Sequence, residues 1–414
     1  MDNKNNLFSS WLRASGHQQW LASEGNRLVD FAKASRLPQG FGNLDERGVL
    51  PINARAETMN TARMTHSFAM AHVRGIPGCA ALVDHGIAAL TGPLRDAEHG
   101  GWFSAPLAGG DKADKQAYLH AFVALAASSA VVAQRPGAQE LLSDVMLVIQ
   151  SRFWSEEEGA MRESFARDWS EEESYRGANS NMHSVEAFLA LADVTGDAQW
   201  LDRALRIVER VIHGHAAGND HQVIEHFSQS WQPLPEYNHD NRADGFRPYG
   251  TTPGHAFEWA RLLLHLEASR QRARLVTPTW LLVDARQLFA NACRDAWSVD
   301  GLPGIVYTLD WQKQPVVRHR LHWVHCEAAA AAAALLQRTD EKQYEDWYRC
   351  FWEFNENHFI DRKLGSWHHE LNPQNQPSAD IWAGKPDLYH AYQATLLPLL
   401  PLAPSLASGL AAVG

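Results

Sequence analysis

The chain has 414 residues, 45% of them hydrophobic and 21% charged, which is enough for one large core or for two or three ordinary domains and excludes a disordered or collagen-like chain. The formal net charge is -11, and no block of Lys or Arg is present. These features exclude a nucleic-acid footprint and a polybasic membrane patch, and they favour small neutral partners.

The N-terminal segment and the cysteines predict a cytoplasmic protein. Residues 1–16 are polar and contain no apolar signal-peptide region. Four cysteines without a Cys-x-x-Cys motif are spread over the chain: Cys79, Cys293, Cys326 and Cys350. In so long a chain this pattern is typical of free thiols in a reducing compartment, so we expect no disulfides.

Apolar residues at helical spacing predict about twelve helices, which form six pairs. In chain order they span roughly residues 18–34, 56–74, 79–91, 115–133, 138–152, 181–195, 198–213, 253–270, 276–296, 321–337, 341–358 and 387–398. The alanine run at residues 328–334 combines high helix propensity with no polar alternation, which predicts a closely packed interior helix.

Similar short segments, rich in glycine and in aromatic or β-branched residues, follow successive helix pairs at a spacing of about 60 residues, with one longer step. They are Gly100–Phe103, Gly159–Glu163, Val223–Phe227, Gly304–Tyr307 and Gly365–Glu370. The repeating unit is therefore a helical hairpin followed by a short β turn.

Six such units predict an all-α fold, an (α/α)6 barrel of six helical hairpins with short β-hairpin segments in the loops, as a single domain over residues 1–414. An open helical solenoid for protein binding is the alternative, but 16 Trp and 21 His residues favour a carbohydrate cleft. We expect the loop Trp231–Tyr249 to form a lid or rim over the cavity. The apolar C-terminal segment is interrupted by prolines and too short to span a membrane, which predicts a Pro-rich extended tail from about residue 398.

Three predicted helices carry a histidine in the first turn. Thr252 is a candidate N-cap before Pro253, and His255 and Glu258 then lie three residues apart on one face. A helix N-terminus disfavours imidazolium, so His255 is a candidate general base, with a hydrogen bond to its own helix as the alternative. His183 and His390 occupy equivalent positions, so we expect all three rings to converge at one end of a barrel.

Two other chemistries remain open from these residues. His319, His322 and His325 precede Glu327 and form a weak zinc pattern, because a helical zinc pair usually has a spacing of four; Glu327 is better interpreted as an inward carboxylate. A glycoside hydrolase needs two carboxyl groups at a defined separation, which the spacing cannot supply. The candidates are Glu163, Glu225, Glu258, Glu327 and Glu370.

Several motifs together resemble the N-acylglucosamine 2-epimerase superfamily and, within it, the branch of aldose-ketose isomerases that act on mannose or sulfoquinovose. They are Tyr175-Arg176-Gly177-Ala178-Asn179 leading to Asn181-Met182-His183 and Glu186, Thr252-Pro253-Gly254-His255 with Glu258-Trp259, Thr61-Ala62-Arg63-Met64, and Asp387-Leu388-Tyr389-His390. The likeness runs from about Trp20 to the Pro-rich tail.

The resemblance implies an (α/α)6 barrel with no metal and no organic cofactor. It places the two acid/base histidines at His255 and His390. The implied cavity-lining positions are Arg63, Tyr118, Asn179, His183, Glu258, Trp323 and Glu327. The partner is then a small monosaccharide, with no nucleic acid and no membrane, and the chain is a monomer or a homodimer.

The implied reaction interconverts D-mannose and D-fructose, and also D-lyxose and D-xylulose. A sulfoquinovose isomerase would carry a tryptophan and a further arginine where this chain has Met59-Asn60 and Gly245-Phe246-Arg247, and a sulfonate favours bidentate arginine contacts. The hypothesis is that His390 moves the carbon-bound proton, while His255, oriented by Glu258, opens the ring. A sulfoquinovose isomerase, a sugar 2-epimerase and a non-catalytic sugar-binding barrel remain the alternatives.

Overall fold

The computed structural model describes residues 10–106 and 113–413, and within them thirteen helices. They are α1 (Ser15–Ala32), α2 (Thr58–Val73), α3 (Cys79–Thr91), α4 (Ala117–Val132), α5 (Ala138–Val148), α6 (Ala178–Thr195), α7 (Gln199–Val208), α8 (Pro253–Arg272), α9 (Trp280–Ala296), α10 (His322–Thr339), α11 (Lys342–Phe354), α12 (Tyr389–Leu396) and α13 (Leu406–Val413). None of them is long and apolar enough to cross a membrane.

Six helices form a closed inner ring. α2, α4, α6, α8, α10 and α12 each pack on the next, and α12 packs on α2. The helices α3, α5, α7, α9, α11 and α1 lie outside them, and α1 completes the sixth pair by packing on α12. The predicted (α/α)6 barrel is confirmed, and one of its hairpins is made by the two ends of the barrel sequence rather than by neighbouring segments.

The two rings differ in composition for a physical reason. Inner helices are buried on nearly all sides, as in the alanine run at residues 328–334, where small side chains allow helices to approach closely. Outer helices are amphipathic: α7 buries Trp200, Leu201 and Ile207 and leaves its charged residues toward solvent. The predicted interior position of the alanine run is therefore confirmed.

Short strands connect the loops at one end of the barrel. They are β1 (Arg36–Leu37), β2 (Gly40–Phe41), β3 (Lys115–Gln116), β4 (Trp154–Ser155), β5 (Ala160–Met161), β6 (Ser164–Phe165), β7 (Tyr175–Gly177), β8 (His226–Ser228), β9 (Thr308–Leu309), β10 (Pro315–Val317), β11 (Arg320–Leu321) and β12 (Glu370–Leu371). The antiparallel pairs are β1 with β2, β3 with β6, β4 with β5, β7 with β8, β9 with β10, and β11 with β12.

Three of these strands lead directly into inner helices. β3 precedes α4, β7 precedes α6 and β11 precedes α10. In the β7–β8 pair Gly177 lies opposite His226, and in the β11–β12 pair Leu321 lies opposite Glu370. Each ladder therefore fixes the first turn of an inner helix against a loop from the next repeat, and this arrangement positions the side chains described below.

The C-terminal segment corrects one prediction. Instead of an extended tail from residue 398, the chain makes a short turn at Leu397–Leu399 and then forms α13, which packs on α2, α4 and α6. The last proline is Pro404, and five of the eight residues of α13 are alanine or leucine, which have high helix propensity. The prolines therefore confine the break to the residues before α13 and do not prevent a helix beyond it.

Candidate active site

A cavity of about 350 Å³ lies where the N-terminal ends of the inner helices meet. Of the nine side chains predicted as site residues, eight line it: Arg63, Tyr118, Asn179, His183, His255, Glu258, Trp323 and His390. Gly245 and Phe246 of the predicted rim loop also line it. His255 and His390 lie in the first turns of α8 and α12 as predicted, but α6 begins at Ala178, so His183 lies in its second turn. All three rings nevertheless open into one space.

His255 is held by a carboxylate from a different repeat. Its Nδ1 lies 2.9 Å from Glu225 Oε2, and both side chains are buried. Glu225 comes directly before β8, and its carbonyl accepts a hydrogen bond from the Ala178 amide at the start of α6. The expectation that Glu258 orients His255 is wrong: one helical turn places both on α8, but the nearer carboxylate comes from the β8 segment.

The start of α8 explains how His255 reaches the cavity. Thr252 is the N-cap residue and Pro253 follows in the first turn, as the motif predicts, but the Thr252 hydroxyl makes no capping hydrogen bond. The His255 amide donates to the Thr252 carbonyl at 3.0 Å. The His255 ring makes its described hydrogen bond to Glu225 rather than to its own helix.

His390 is held by a carboxylate three residues before it. Its Nδ1 hydrogen-bonds Asp387 Oδ2, and its backbone amide donates to Asp387 Oδ1 at 3.3 Å. His322 Nε2 lies 3.3 Å from the same Oδ2. Burial alone raises the pKa of Asp387, but His390 and His322 outweigh it and hold the pKa well below its usual range.

The two acid/base candidates flank one aromatic ring. The Trp323 ring centroid is 5.2 Å from that of His255 and 5.9 Å from that of His390. Because each Nδ1 faces a carboxylate oxygen and therefore carries the proton, each Nε2 is left as the atom able to exchange protons with a ligand. Two imidazoles in one cavity can thus act on neighbouring atoms of one small molecule.

Glu258 belongs to a buried cluster of three carboxylates around one guanidinium. Arg261 Nη2 lies 3.5 Å from Glu258 Oε1 and 4.0 Å from Glu186 Oε1, and Arg261 Nε donates to Glu327 Oε2 at 2.8 Å. Burial, and then Glu327, raise the pKa of Glu258 well above its usual range. Burial and the Glu327 carboxylate therefore favour the protonated form of Glu258. Glu327, the ninth predicted residue, is not part of the cavity surface formed by the described residues.

His183 lies against this cluster rather than beside a single partner. Its Nδ1 is 3.6 Å from both Glu186 and Glu258, and its ring packs on Phe122 at a centroid distance of 4.6 Å. Burial lowers the pKa of His183 to about 3, so the ring is neutral near pH 7.

Arg63 supplies the one guanidinium or ammonium group on the cavity surface of the described residues. Its Nη2 donates to Tyr118 Oη at 2.9 Å, and the guanidinium lies over the Phe122 ring at 4.3 Å. Its Nε has no hydrogen-bond partner among the residues that the structure describes. The guanidinium is therefore fixed in place, with its Nε buried and unpaired.

Arg247 follows the rim residues Gly245 and Phe246 but points away from this cavity. Its Nη1 donates to Glu173 at 2.8 Å, and its guanidinium lies 4.2 Å over the Tyr175 ring. A Cβ added at Gly245 would lie 2.9 Å from the Trp382 ring, so that ring fills the space where a side chain would begin. The rim thus contributes aromatic surface and no second cation.

The histidines of the weak zinc pattern lie apart from one another in the structure. His319 faces Asp380 at 2.9 Å, whereas His325 Nε2 accepts from the Ile305 amide at 2.9 Å. His322 alone lines the cavity. These three rings do not converge on a common point with Glu327.

Sequence reasoning missed several cavity residues. The sequence pattern indicates His322 only as a weak metal ligand, His369 only as part of the recurring segment Gly365–Glu370, and Trp382 not at all, although all three line the cavity. Glu225 was noted only as one of five carboxylates. Its position in a recurring turn segment, one residue before β8, is the signal that could have brought it forward.

The fold and the site together define a class of protein: (α/α)6 barrels that carry paired histidine and carboxylate side chains at one end. The family model described as N-acylglucosamine 2-epimerase (GlcNAc 2-epimerase) matches residues 40–394, and the chain belongs to this family.

Two relatives are similar over their whole length. The chain is 78% identical to a D-mannose isomerase of Pseudomonas cannabina pv. alisalensis over 99% of both chains. It is 54% identical to a D-mannose isomerase of Thermobifida fusca over 98% of this chain and 99% of the other. Among solved structures, a crystal structure of D-mannose isomerase superposes with a TM-score of 0.84 at 27% identity, covering 92% of this chain and 97% of that one.

Proposed function

We propose that the chain is an aldose-ketose isomerase that interconverts D-mannose and D-fructose, with D-lyxose and D-xylulose as a second pair. The observation that carries the proposal is the placement of two carboxylate-held histidines, His255 and His390, beside Trp323 in one cavity. The names of the relatives at 78% and 54% identity support the same reaction and favour it over sulfosugar isomerisation and 2-epimerisation.

Isomerisation needs proton transfers at both oxygen and carbon. The ring opens when the ring oxygen gains a proton and the O1 hydroxyl loses one. The C2 proton is then removed while O1 is protonated, which forms a cis-enediol, and a proton returns to C1 while the O2 hydroxyl loses its proton. An imidazole with a reference pKa of about 6.5 can accept and donate near neutral pH. His390 moves the proton between C2 and C1, while His255, oriented by Glu225, opens the ring and transfers protons at O1 and O2.

Two further groups act on the oxygen atoms. Arg63 is fixed by Tyr118 and directs positive charge into the cavity, where it stabilises the oxyanion that develops as the enediol forms. Glu258, as a neutral acid, donates a hydrogen bond to a sugar oxygen. One cation suits a neutral hexose, whereas a sulfonate favours bidentate guanidinium contacts that the described cavity residues do not supply.

We propose that the enzyme works in the cytoplasm as a monomer or homodimer and without a metal or organic cofactor. Side chains supply the proton transfers in this proposal, and the His390 ring is already hydrogen-bonded to Asp387. Burial raises the pKa of the Cys293 and Cys326 thiols well above the usual range, as expected for inert structural thiols.

The test is proton NMR of mannose with the purified protein in D2O and in the presence of a chelator. We expect fructose, with deuterium at C1 to the extent that the transferred proton exchanges with solvent. Glucose with deuterium at C2 would instead indicate a 2-epimerase. No reaction of mannose, combined with turnover of sulfoquinovose, would replace the proposal, and no turnover of either sugar would indicate a binding protein.

A matched control is the His390→Ala variant. Its circular dichroism spectrum should equal that of the unchanged protein, while fructose formation is lost. Normal turnover of mannose by this variant would contradict the site assignment.

A further inference from the structure

We propose that Glu370 is a positioning residue that holds the Trp382 ring at the rim of the cavity and thereby raises the affinity of the site for its sugar. This role rests on the proposed function, since its kinetic test uses mannose as the substrate. The sequence pattern indicates Glu370 as one of five candidate carboxylates for glycoside hydrolysis. The side chain is only 1% exposed, however, and it is not part of the cavity surface formed by the described residues.

The Glu370 carboxylate accepts four hydrogen bonds from one short loop segment. Its Oε1 accepts from the Ser378 hydroxyl at 2.6 Å and from the Asp380 amide at 2.8 Å. Its Oε2 accepts from the amides of Ile381 and Trp382, both at 2.8 Å. A carboxylate offers about four lone-pair sites, so these donors occupy the group. Glu370 therefore fixes three consecutive backbone amides, and the last of them belongs to Trp382.

Glu370 is itself fixed by the barrel. It lies on β12 opposite Leu321 of β11, the strand that leads into α10. Beyond Trp382 the chain is held a second time, because Lys385 Nζ donates to Asp361 Oδ2 at 2.6 Å. The loop is thus anchored on both sides of the Trp382 ring, and Glu370 is the anchor that bonds the Trp382 amide itself.

Trp382 meets the opposite rim of the cavity. Its ring centroid is 5.2 Å from that of Phe246 in an edge-on arrangement, and both residues line the cavity. A Cβ added at Gly245 would lie 2.9 Å from the same indole, so the two loops approach closely. Aromatic walls exclude water from a cavity and strengthen the polar contacts inside it. Because Trp382 lies on a loop rather than on a helix or strand, its position depends on the anchors of that loop.

The experiment is a double-mutant cycle on kcat and KM for mannose with Glu370→Gln and Trp382→Ala. In either orientation the new amide turns its NH₂ group toward a backbone N–H, so the loop loosens. Trp382 takes no part in the proton transfers, so we expect KM to rise about tenfold in Trp382→Ala and about fivefold in Glu370→Gln, with kcat changed less than about threefold. The double variant should match Trp382→Ala, because Glu370 acts through that ring.

Two kinetic outcomes would overturn the proposal. Effects on KM that multiply in the double variant would show that Glu370 acts independently of Trp382. A fall in kcat at unchanged KM would show that the loop acts instead on Asp387 and His390, which follow it in the chain. If Glu370→Gln does not fold, Ser378→Ala removes one of the four donors and should raise KM about twofold. An unchanged KM in that variant would also overturn the proposal.

Glu345 provides a matched control outside the cavity. It is buried like Glu370, and its carboxylate also accepts from a serine hydroxyl, Ser10 at 2.6 Å, and from a backbone amide, Trp11 at 2.7 Å. It lies on the outer helix α11. Glu345→Gln should lower Tm and leave KM unchanged. A rise in KM equal to that of Glu370→Gln would assign both effects to general loosening of the fold and would overturn the proposal.

Amide hydrogen exchange of the free protein separates this role from the proposed function. The amides of Asp380, Ile381 and Trp382 should exchange about tenfold faster in Glu370→Gln than in the unchanged protein, and at the unchanged rate in Glu345→Gln. Unchanged exchange in Glu370→Gln would overturn the proposal even if mannose is isomerised. Faster exchange in a protein that fails to isomerise mannose would support the anchoring by Glu370 and would refute the proposed function.

Discussion

The two acid/base histidines are held in different ways. His255 bonds Glu225, which is not shared with another described histidine and whose Oε1 has no described hydrogen-bond partner. His390 bonds Asp387 through both its ring and its backbone amide, and His322 Nε2 lies 3.3 Å from the same Asp387 Oδ2 without a hydrogen bond. Glu225 therefore keeps one oxygen without a described partner, whereas both oxygens of Asp387 accept hydrogen bonds from His390.

This difference suits the two proposed tasks. A group that moves a proton between C2 and C1 benefits from a fixed ring, and Asp387 holds His390 through hydrogen bonds to both its ring and its backbone amide. A group that exchanges protons with several oxygens needs less constraint, and His255 has a single anchor. Pairing with a carboxylate thus orients both rings, and the neighbours of the carboxylate distinguish them.

The largest expected effect is the loss of either ring. His390→Ala and His255→Ala should each lower kcat about a thousandfold, within the range of general acid-base catalysis. With a substrate analogue that stays open-chain, His255→Ala should recover more activity than His390→Ala, because only the ring-opening step is bypassed. Exchange of the C2 proton followed by NMR provides the measurement, and equal losses in both variants would contradict the division of roles.

The two carboxylates should respond unequally to amide replacement. Glu225→Gln can keep its oxygen toward His255 Nδ1 and place the new amide group where Oε1 has no described partner, so we expect about a tenfold loss of kcat. Asp387→Asn should lose about a hundredfold, because either orientation of the amide brings an NH₂ group against an N–H of His390. Steady-state kinetics at the plateau pH test this order, and a larger loss in Glu225→Gln would reverse the comparison.

Glu258→Gln separates the structural assignment from the one drawn from sequence. The neutral acid form of Glu258 resembles an amide, so we expect a loss of kcat of about threefold. If Glu258 oriented His255, the loss should instead equal or exceed that of Glu225→Gln. Glu258→Ala, which also removes the contacts with His183 and Arg261, should lose more than Glu258→Gln.

Histidines without a carboxylate partner should determine acid stability instead of activity. His66 bonds the Ser129 hydroxyl at 2.6 Å, and burial lowers its pKa to about 4. In the unfolded chain His66 takes up a proton near its reference pKa of about 6.5, whereas in the folded chain it does so only near pH 4. The free energy of unfolding therefore falls as the pH drops through this range.

The pH dependence of unfolding tests this assignment. His66 alone should contribute about 2 kcal/mol to the loss of unfolding free energy between pH 7 and pH 5. Urea titrations of His66→Gln should show a correspondingly smaller loss, even if the variant is less stable at pH 7. If the loss of unfolding free energy between pH 7 and pH 5 is the same in His66→Gln as in the unchanged protein, His66 does not set the acid limit of stability.

Much of the helical framework could be predicted from the sequence. Helix positions depend on apolar spacing over one or two turns, so the inner and outer segments could be recognised one at a time. The same locality applies to His390, since Asp387 lies three residues earlier on the same turn. Glu327 was correctly expected to point inward, but its contact with Arg261 of α8 places it with the buried charge cluster.

By itself the amino-acid sequence determined the helices, the recurring unit, the family and the first-turn positions of His255 and His390, because each depends on residues close together in the chain. Only the tertiary structure decided that Glu225, rather than Glu258, holds His255, since that contact requires β7 and β8 to pair. It also decided that His322 reaches Asp387, that α13 packs on the inner ring and that α1 completes the sixth pair. These contacts join distant parts of the chain, and only the closure of the barrel brings them together.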